Sequence, residues 1–127
     1  MSAAWSEDEV YLVAGRAYEL AMQGQYTDAA IIFDGLAAVA PHNHYVRCAL
    51  AALCTQLEQP ETAMAVLAAG PDSPQAAQLR VEALLELKRF DDAKRELLRT
   101  GAAMRPVVAE RFAVRLSLAS HIPSNRF

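Results

Sequence analysis

The stretch Gly24-Gln25-Tyr26-Thr27-Asp28-Ala29-Ala30-Ile31-Ile32-Phe33-Asp34-Gly35-Leu36, followed by Pro41, decides how this chain folds. A glycine and a polar residue end one helix, and the next begins within three residues. Ala29, Phe33 and Leu36 then recur at spacings of four and three, the period of an apolar helical stripe. Ala29 is small where two helices must cross closely, and Phe33 is large enough to fill the gap to a following pair. The same signature returns thirty-four residues on, as Leu57-Glu58-Gln59-Pro60-Glu61-Thr62-Ala63 with Leu67. It returns again as Lys88-Arg89-Phe90-Asp91-Asp92-Ala93 with Leu97, thirty residues after the second alanine, so the second copy is about four residues short. Ala17, Ala51 and Val81 are the facing small or medium residues on the preceding helices, while Tyr26 and Phe90 plug the turn end.

Working outward from these turns, punctuation places seven helices. The first follows Ser6-Glu7-Asp8-Glu9, a capping-box pattern, and runs to about Gln23. The second covers about Thr27–Val39, and the third runs from about Asn43 to Leu57. Pro60 opens the fourth, which stops before Gly70, and Ser73-Pro74 opens the fifth, which reaches about Leu87. The sixth spans about Asp91–Ala103 and the last about Pro106–Ala119. Helical hairpins at this period resemble the tetratricopeptide repeat. The resemblance implies an all-α, tetratricopeptide-like stack of three helical hairpins (about 10–41, 44–70 and 74–103) with a capping helix over 106–119. Such arrays need a cap because the last unit otherwise exposes its apolar side. The expectation is one domain over 1–119 and a flexible tail over 120–127.

Composition narrows the function classes. At 127 residues, 54% hydrophobic, the chain is long enough for one well-buried domain. Acids and bases are interspersed around a net charge of −3 without a basic stripe, which argues against nucleic acid as a partner. The first residues, MSAAWSEDEV, lack the basic and apolar segments of a secretory signal, and no apolar run is long enough for a membrane span. Cys48 and Cys54 stand six residues apart on one expected helix, about 9 Å along its axis, too far for a disulfide. They read as reduced thiols in a cytoplasmic protein with no membrane partner.

In curved arrays of this kind the first helix of each hairpin lines the concave face. With Ala17, Ala51 and Val81 committed to the core, the stripe left for a partner is Tyr11, Ala14, Tyr18 and Met22 on the first helix. Tyr45, Cys48 and Ala52 continue it on the third, and Gln75, Gln78, Glu82, Leu85 and Glu86 on the fifth. Tyrosine offers large contact area and a hydroxyl at low entropic cost, which suits capture of a polypeptide. The best-known groove function of the repeat superfamily is a clamp on a peptide carboxylate, made by Lys, Arg and Asn. Its positions here hold Ala14, Tyr18, Cys48, Ala52, Gln78 and Glu82, so a hydrophobic segment is the better ligand.

Catalysis finds little footing. His42 and His44 flank Asn43 without a Cys or carboxylate at metal-ligand spacing, and no glycine-rich phosphate loop occurs. His44 lies one helical turn before Cys48 and could just reach it, the one pairing with nucleophilic character. The expectation is a protein that is not an enzyme and uses neither cofactor nor metal.

Two stretches, Tyr18 through Leu36 to Tyr45 and Cys48-Ala-Leu-Ala-Ala-Leu-Cys-Thr-Gln-Leu57, resemble tetratricopeptide chaperones of bacterial type III secretion. The short second repeat and the helix from Pro106 are similar to needle-subunit chaperones, the G component of the needle heterotrimer. That resemblance implies a groove that sequesters the amphipathic C-terminal helix of a needle subunit and so prevents premature polymerisation. It also implies a small co-chaperone against the N-terminal region. The first repeat and the Gln56-Leu57 helix end are similar to class II chaperones, which implies an extended segment of a membrane-inserting translocator in the same groove. The needle branch is the favoured expectation, with the translocator branch and a general interaction scaffold as alternatives. Without cargo a homodimer is compatible with the exposed groove.

Overall fold

The computed structural model describes residues 5–121, which form seven α-helices and no strand. They are α1 (Glu7–Met22), α2 (Tyr26–Val39), α3 (His44–Gln56), α4 (Pro60–Ala68), α5 (Pro74–Glu86), α6 (Phe90–Thr100) and α7 (Pro106–His121), with a 3-10 turn at Gly101–Ala103 between the last two. The sixth helix thus ends three residues before the expected limit and tightens into that turn, where Met104 N–H donates to Gly101 O at 3.1 Å. The last helix continues two residues past its expected end at Ala119; residues 122–127 lie outside the described residues.

The starts follow the local signals. Ser6 Oγ accepts from Glu9 N–H at 3.1 Å while Glu9 Oε1 accepts from Ser6 N–H at 2.9 Å, the reciprocal capping box. Asn43 and Ser73 accept from Val46 and Ala76 N–H, each at 3.0 Å. The three hairpin turns share one geometry. Gln25, Gln59 and Arg89 N–H donate to Leu20, Cys54 and Leu84 O, five residues back. Their predecessors Gly24, Glu58 and Lys88 donate to Ala21, Thr55 and Leu85 O, which makes three Schellman ends. Each predecessor has positive φ: 80° at Gly24, 59° at Glu58 and 58° at Lys88. Only the first is the residue type for which this conformation is free of Cβ strain. Glu58→Gly and Lys88→Gly are each expected to stabilise the protein by about 1 kcal/mol, read as a raised urea midpoint at unchanged slope.

The chain divides into two compact units, at Pro71/Asp72. In the first, α2 packs on α1 and α3, and α3 packs on α4. α3 has two neighbours and therefore two buried stripes, Val46-Leu50-Leu53 and Ala51-Cys54. The repeat alanines Ala17, Ala29, Ala51 and Ala63 are wholly buried, with Phe33 and Leu67 beside them. Arg47 heads the second stripe, donating to Val66 O at 3.1 Å and to Pro41 O. Gly70 leaves room for it, since a Cβ there would stand 2.2 Å from Arg47 Cδ.

In the second unit α5 packs on α6, and α6 on α7. Val81 and Ala93 occupy the repeat positions with no exposure, and Phe112 of α7 is buried. Arg80 Nε donates to Glu96 Oε2 at 2.9 Å, Arg99 reaches the same carboxylate at 2.7 Å and Asp72 at 3.0 Å, and Arg80 also pairs with Asp72. Arg99, and then Arg80, hold the Asp72 carboxyl below its ordinary value of 3.8. A lowered folded pKa contributes stability above the unfolded value and loses it as pH falls through the folded one. Acidification below about pH 4 is therefore expected to loosen this unit, and Asp72→Asn to remove that part of the acid dependence, measured by helical signal against pH.

Candidate functional site

On α1 the buried stripe is Val10, Ala14 and Ala17, and beside it Tyr11, Gly15, Tyr18 and Met22 are all exposed. Ala14 was expected on the partner-facing stripe; at 1% exposure it belongs to the core instead. The reason is phase. Ala14 fits the spacing from Tyr11 and to Tyr18 as well as Gly15 does, but it also lies four residues after Val10 and three before Ala17. Its distance from Ala17 is the signal that could have placed it. Gly15 takes its place on the stripe, and a Cβ built there meets nothing within 4 Å. The stretch between the Tyr11 and Tyr18 rings therefore carries no side chain.

Tyr45 stands in the first turn of α3. Its ring centroid is 6.0 Å from that of Tyr11 on α1, tilted 40°, and 6.2 Å from that of Phe33 on α2 in edge-on geometry. Such pairs are favourable by about 0.5–1.5 kcal/mol beyond their burial, so the buried Phe33 sets the angle of an exposed ring. Exposure remains high: 47% for Tyr11, 54% for Tyr18, 42% for Tyr45 and 69% for Met22. Cys48 and Ala52 follow Tyr45 down α3, both half-buried. Below them Thr55 donates its hydroxyl to Ala51 O at 3.1 Å, and Gln56 is exposed. Arg16 and Glu19 of α1 pair with each other at 3.6 Å off this stripe, and Glu7, one turn before Tyr11, stands at its N-terminal end. The result is an oily wall with three phenol groups, suited to taking apolar side chains from another chain.

The residues expected on α5 belong to the second unit. Leu85 is buried at 8% and so is a packing residue, and Glu82 pairs with Arg115 of α7 at 2.5 Å. The second unit carries a hollow that sequence reading missed, between Phe90, Leu97, Leu98, Ala113 and Leu116 of α6 and α7, with Asp91, Lys94 and Ser117 also lining it. Leu98 is an exposed large apolar member, and only its place outside the α6 core stripe could have flagged it. His44 and Cys48 do meet, with Nε2 3.5 Å from Sγ. Among the described residues no group of three or more His, Cys, Asp and Glu could hold a metal ion, and no helix is long and apolar enough to cross a membrane.

Comparison with known proteins agrees with this architecture. The tetratricopeptide repeat family matches residues 20–79. The crystal structure of PcrH from Pseudomonas aeruginosa is similar with a TM-score of 0.78 at 21% identity, over 91% of this chain and 95% of that one. No curated protein matches. At that identity the likeness establishes the fold, an all-α tetratricopeptide-like one.

Proposed function

We propose that this chain is a type III secretion chaperone of the class II translocator type, acting in the cytoplasm. It holds an apolar, extended segment of a membrane-inserting translocator against Tyr11, Gly15, Tyr18, Met22, Tyr45, Cys48 and Ala52 until export. The observation that carries this reading is the wall itself. Three tyrosines and a methionine stay about half exposed or more on α1 and α3, although buried positions lie one residue away on each helix. Leaving that much apolar surface in water is costly for a solitary protein and is typical of a surface that awaits a partner. The first-repeat residues and the helix end at Gln56-Leu57 support the translocator branch, and the likeness to PcrH favours it.

A second reading rests on two lengths. α4 has 9 residues and α7 has 16, which matches the abbreviated second unit and the C-terminal helix of needle-subunit chaperones. The same wall would then grip the amphipathic helix of a needle subunit, with a co-chaperone on α1. Tagged protein expressed in its native host, captured and analysed by mass spectrometry of what it retains, separates the readings. A membrane-active translocator supports the first and a short helix-forming subunit the second. Retention only of proteins unrelated to secretion overturns both and leaves an interaction scaffold.

A further inference from the structure

Gly15 has no reason within its own chain to be glycine. It lies in the interior of α1, and among the glycines only Gly24 has positive φ, so its backbone suits any residue. A Cβ built there meets nothing within 4 Å, so no close packing requires its absence. Glycine in a helix interior is less stable than alanine, and no contact in the fold accounts for that cost. A glycine alone does not mark a site. Gly35 of α2 is equally unconstrained, but its neighbours one turn away are Ile31, Ile32, Ala38 and Val39, none of them aromatic. Gly15 instead has Tyr11 four residues before it and Tyr18 three after, exposed by 47% and 54%. Helical side chains lean toward the N-terminus, yet the Tyr18 ring stays more than 4 Å from the place of the missing Cβ, so the gap is open. The repeat of thirty-four residues that relates Tyr11 to Tyr45 also relates Tyr18 to Ala52, so α3 offers small side chains at this level. The Tyr11 and Tyr45 rings, 6.0 Å apart, bound its N-terminal end.

We propose that Gly15 is a specificity-determining residue of the wall: the notch between Tyr11 and Tyr18 receives one large aliphatic side chain of the partner segment, and the missing Cβ makes the room. The two tyrosines leave the helix about 10.5 Å apart along its axis. Carbon contact with a ring on either side takes about 3.5–4 Å each, which leaves about 3 Å between the outermost carbons of a guest. That is room for the end of one side chain of leucine or methionine size, and not for two. The guest is apolar because the floor of the notch is bare helix whose N–H and C=O groups are already paired, and Glu7 stands a turn beyond Tyr11. A polar or charged guest would lose its water there without gaining a partner. This inference rests on the proposed function and adds which feature of the partner the wall reads.

The test uses the full chain, and its probe is the protein that mass spectrometry identifies as retained in the native host, then co-expressed. Gly15→Leu fills the notch and is expected to cut retention at least tenfold, with a smaller loss for Gly15→Ala. Both are expected to raise the urea midpoint, because each removes a helix-interior glycine. Weaker binding by a more stable protein separates a filled notch from a damaged fold. Gly35→Leu is the control, expected to leave retention unchanged. To find the guest, each large aliphatic residue in the protease-protected segment of the retained protein is cut to alanine. One such change is expected to cost about tenfold against the parent and under twofold against Gly15→Leu, the coupling of a pair in contact. Retention by Gly15→Leu within twofold of Gly35→Leu, while Tyr18→Asp reduces it, overturns the notch and leaves the wall. Alanine costs that are the same against parent and Gly15→Leu at every position do likewise. No protein retained by the parent, or retention that Tyr18→Asp leaves unchanged, overturns the wall reading and the notch with it.

Discussion

Tyr18→Asp together with Tyr45→Asp is expected to cut retention of the captured partner at least a hundredfold while leaving the helical signal intact. Each ring is exposed by about half, 54% and 42%, beside apolar neighbours. Truncating a central aromatic contact typically costs about 2 kcal/mol or more, and two such losses approach 4 kcal/mol before non-additivity. At about 1.4 kcal/mol per factor of ten, a hundredfold loss is the conservative figure. A buried carboxylate facing apolar side chains adds a desolvation penalty. The fold is expected to tolerate both changes. Tyr18 packs into no buried stripe, and Tyr45 is the second residue of α3, where an acidic side chain favours the positive helix end. Leu12→Asp is the control, since Leu12 is 72% exposed but lies off the stripe. Pull-down of the co-expressed partner reads all three. Undiminished retention by the double variant places binding elsewhere on the molecule.

Phe33→Ala is expected to destabilise the first unit by about 3–5 kcal/mol, the range for emptying a buried phenylalanine site. Phe33 is 2% exposed between helices whose closest approaches are set by alanines, so the neighbours have little freedom to collapse into the void. It also supports Tyr45 edge-on at 6.2 Å, so the loss of packing reaches the wall. Urea unfolding gives the stability change, and partner retention at low temperature, where the variant is still folded, gives the second effect. Ile31→Ala, on the same helix but 65% exposed, is expected to fall within about 0.5 kcal/mol of the parent. A Phe33→Ala cost near that of Ile31→Ala would mean that the repeat phenylalanine is not the keystone of its hairpin.

Both experiments probe one arrangement, in which a core residue of α2 positions a surface ring of α3. It joins the two levels on which the repeat works. Small residues at the crossings let helices approach, and the large residues left between repeats either fill the core or stand proud of it. Tyr45 does the second because Phe33 and Tyr11 occupy the ground to either side of it.

Local pattern was enough for the number, order and approximate limits of the helices, for their caps at Ser6 and Ser73, and for the crossing residues Ala17, Ala29, Ala51, Ala63, Val81 and Ala93. These depend on spacing within a few turns, and spacing survives in a linear string. The packed structure moved Ala14 to the core and Gly15 to the wall, a choice that the two tyrosines leave open and that only the spacing of Ala14 from Val10 and Ala17 signals in the sequence. One residue is a turn of about 100°, and a stripe drawn from two tyrosines accepts either neighbour. It alone revealed that Glu58 and Lys88 adopt the left-handed geometry of Gly24, since the turn hydrogen bonds hold the backbone whatever side chain it carries. It alone brought Arg47 to the carbonyls of Val66 and Pro41 under Gly70, and Tyr45 to Tyr11 across more than thirty residues of chain. Contacts between distant segments depend on how helices rotate against one another, and that rotation is settled only when their surfaces meet.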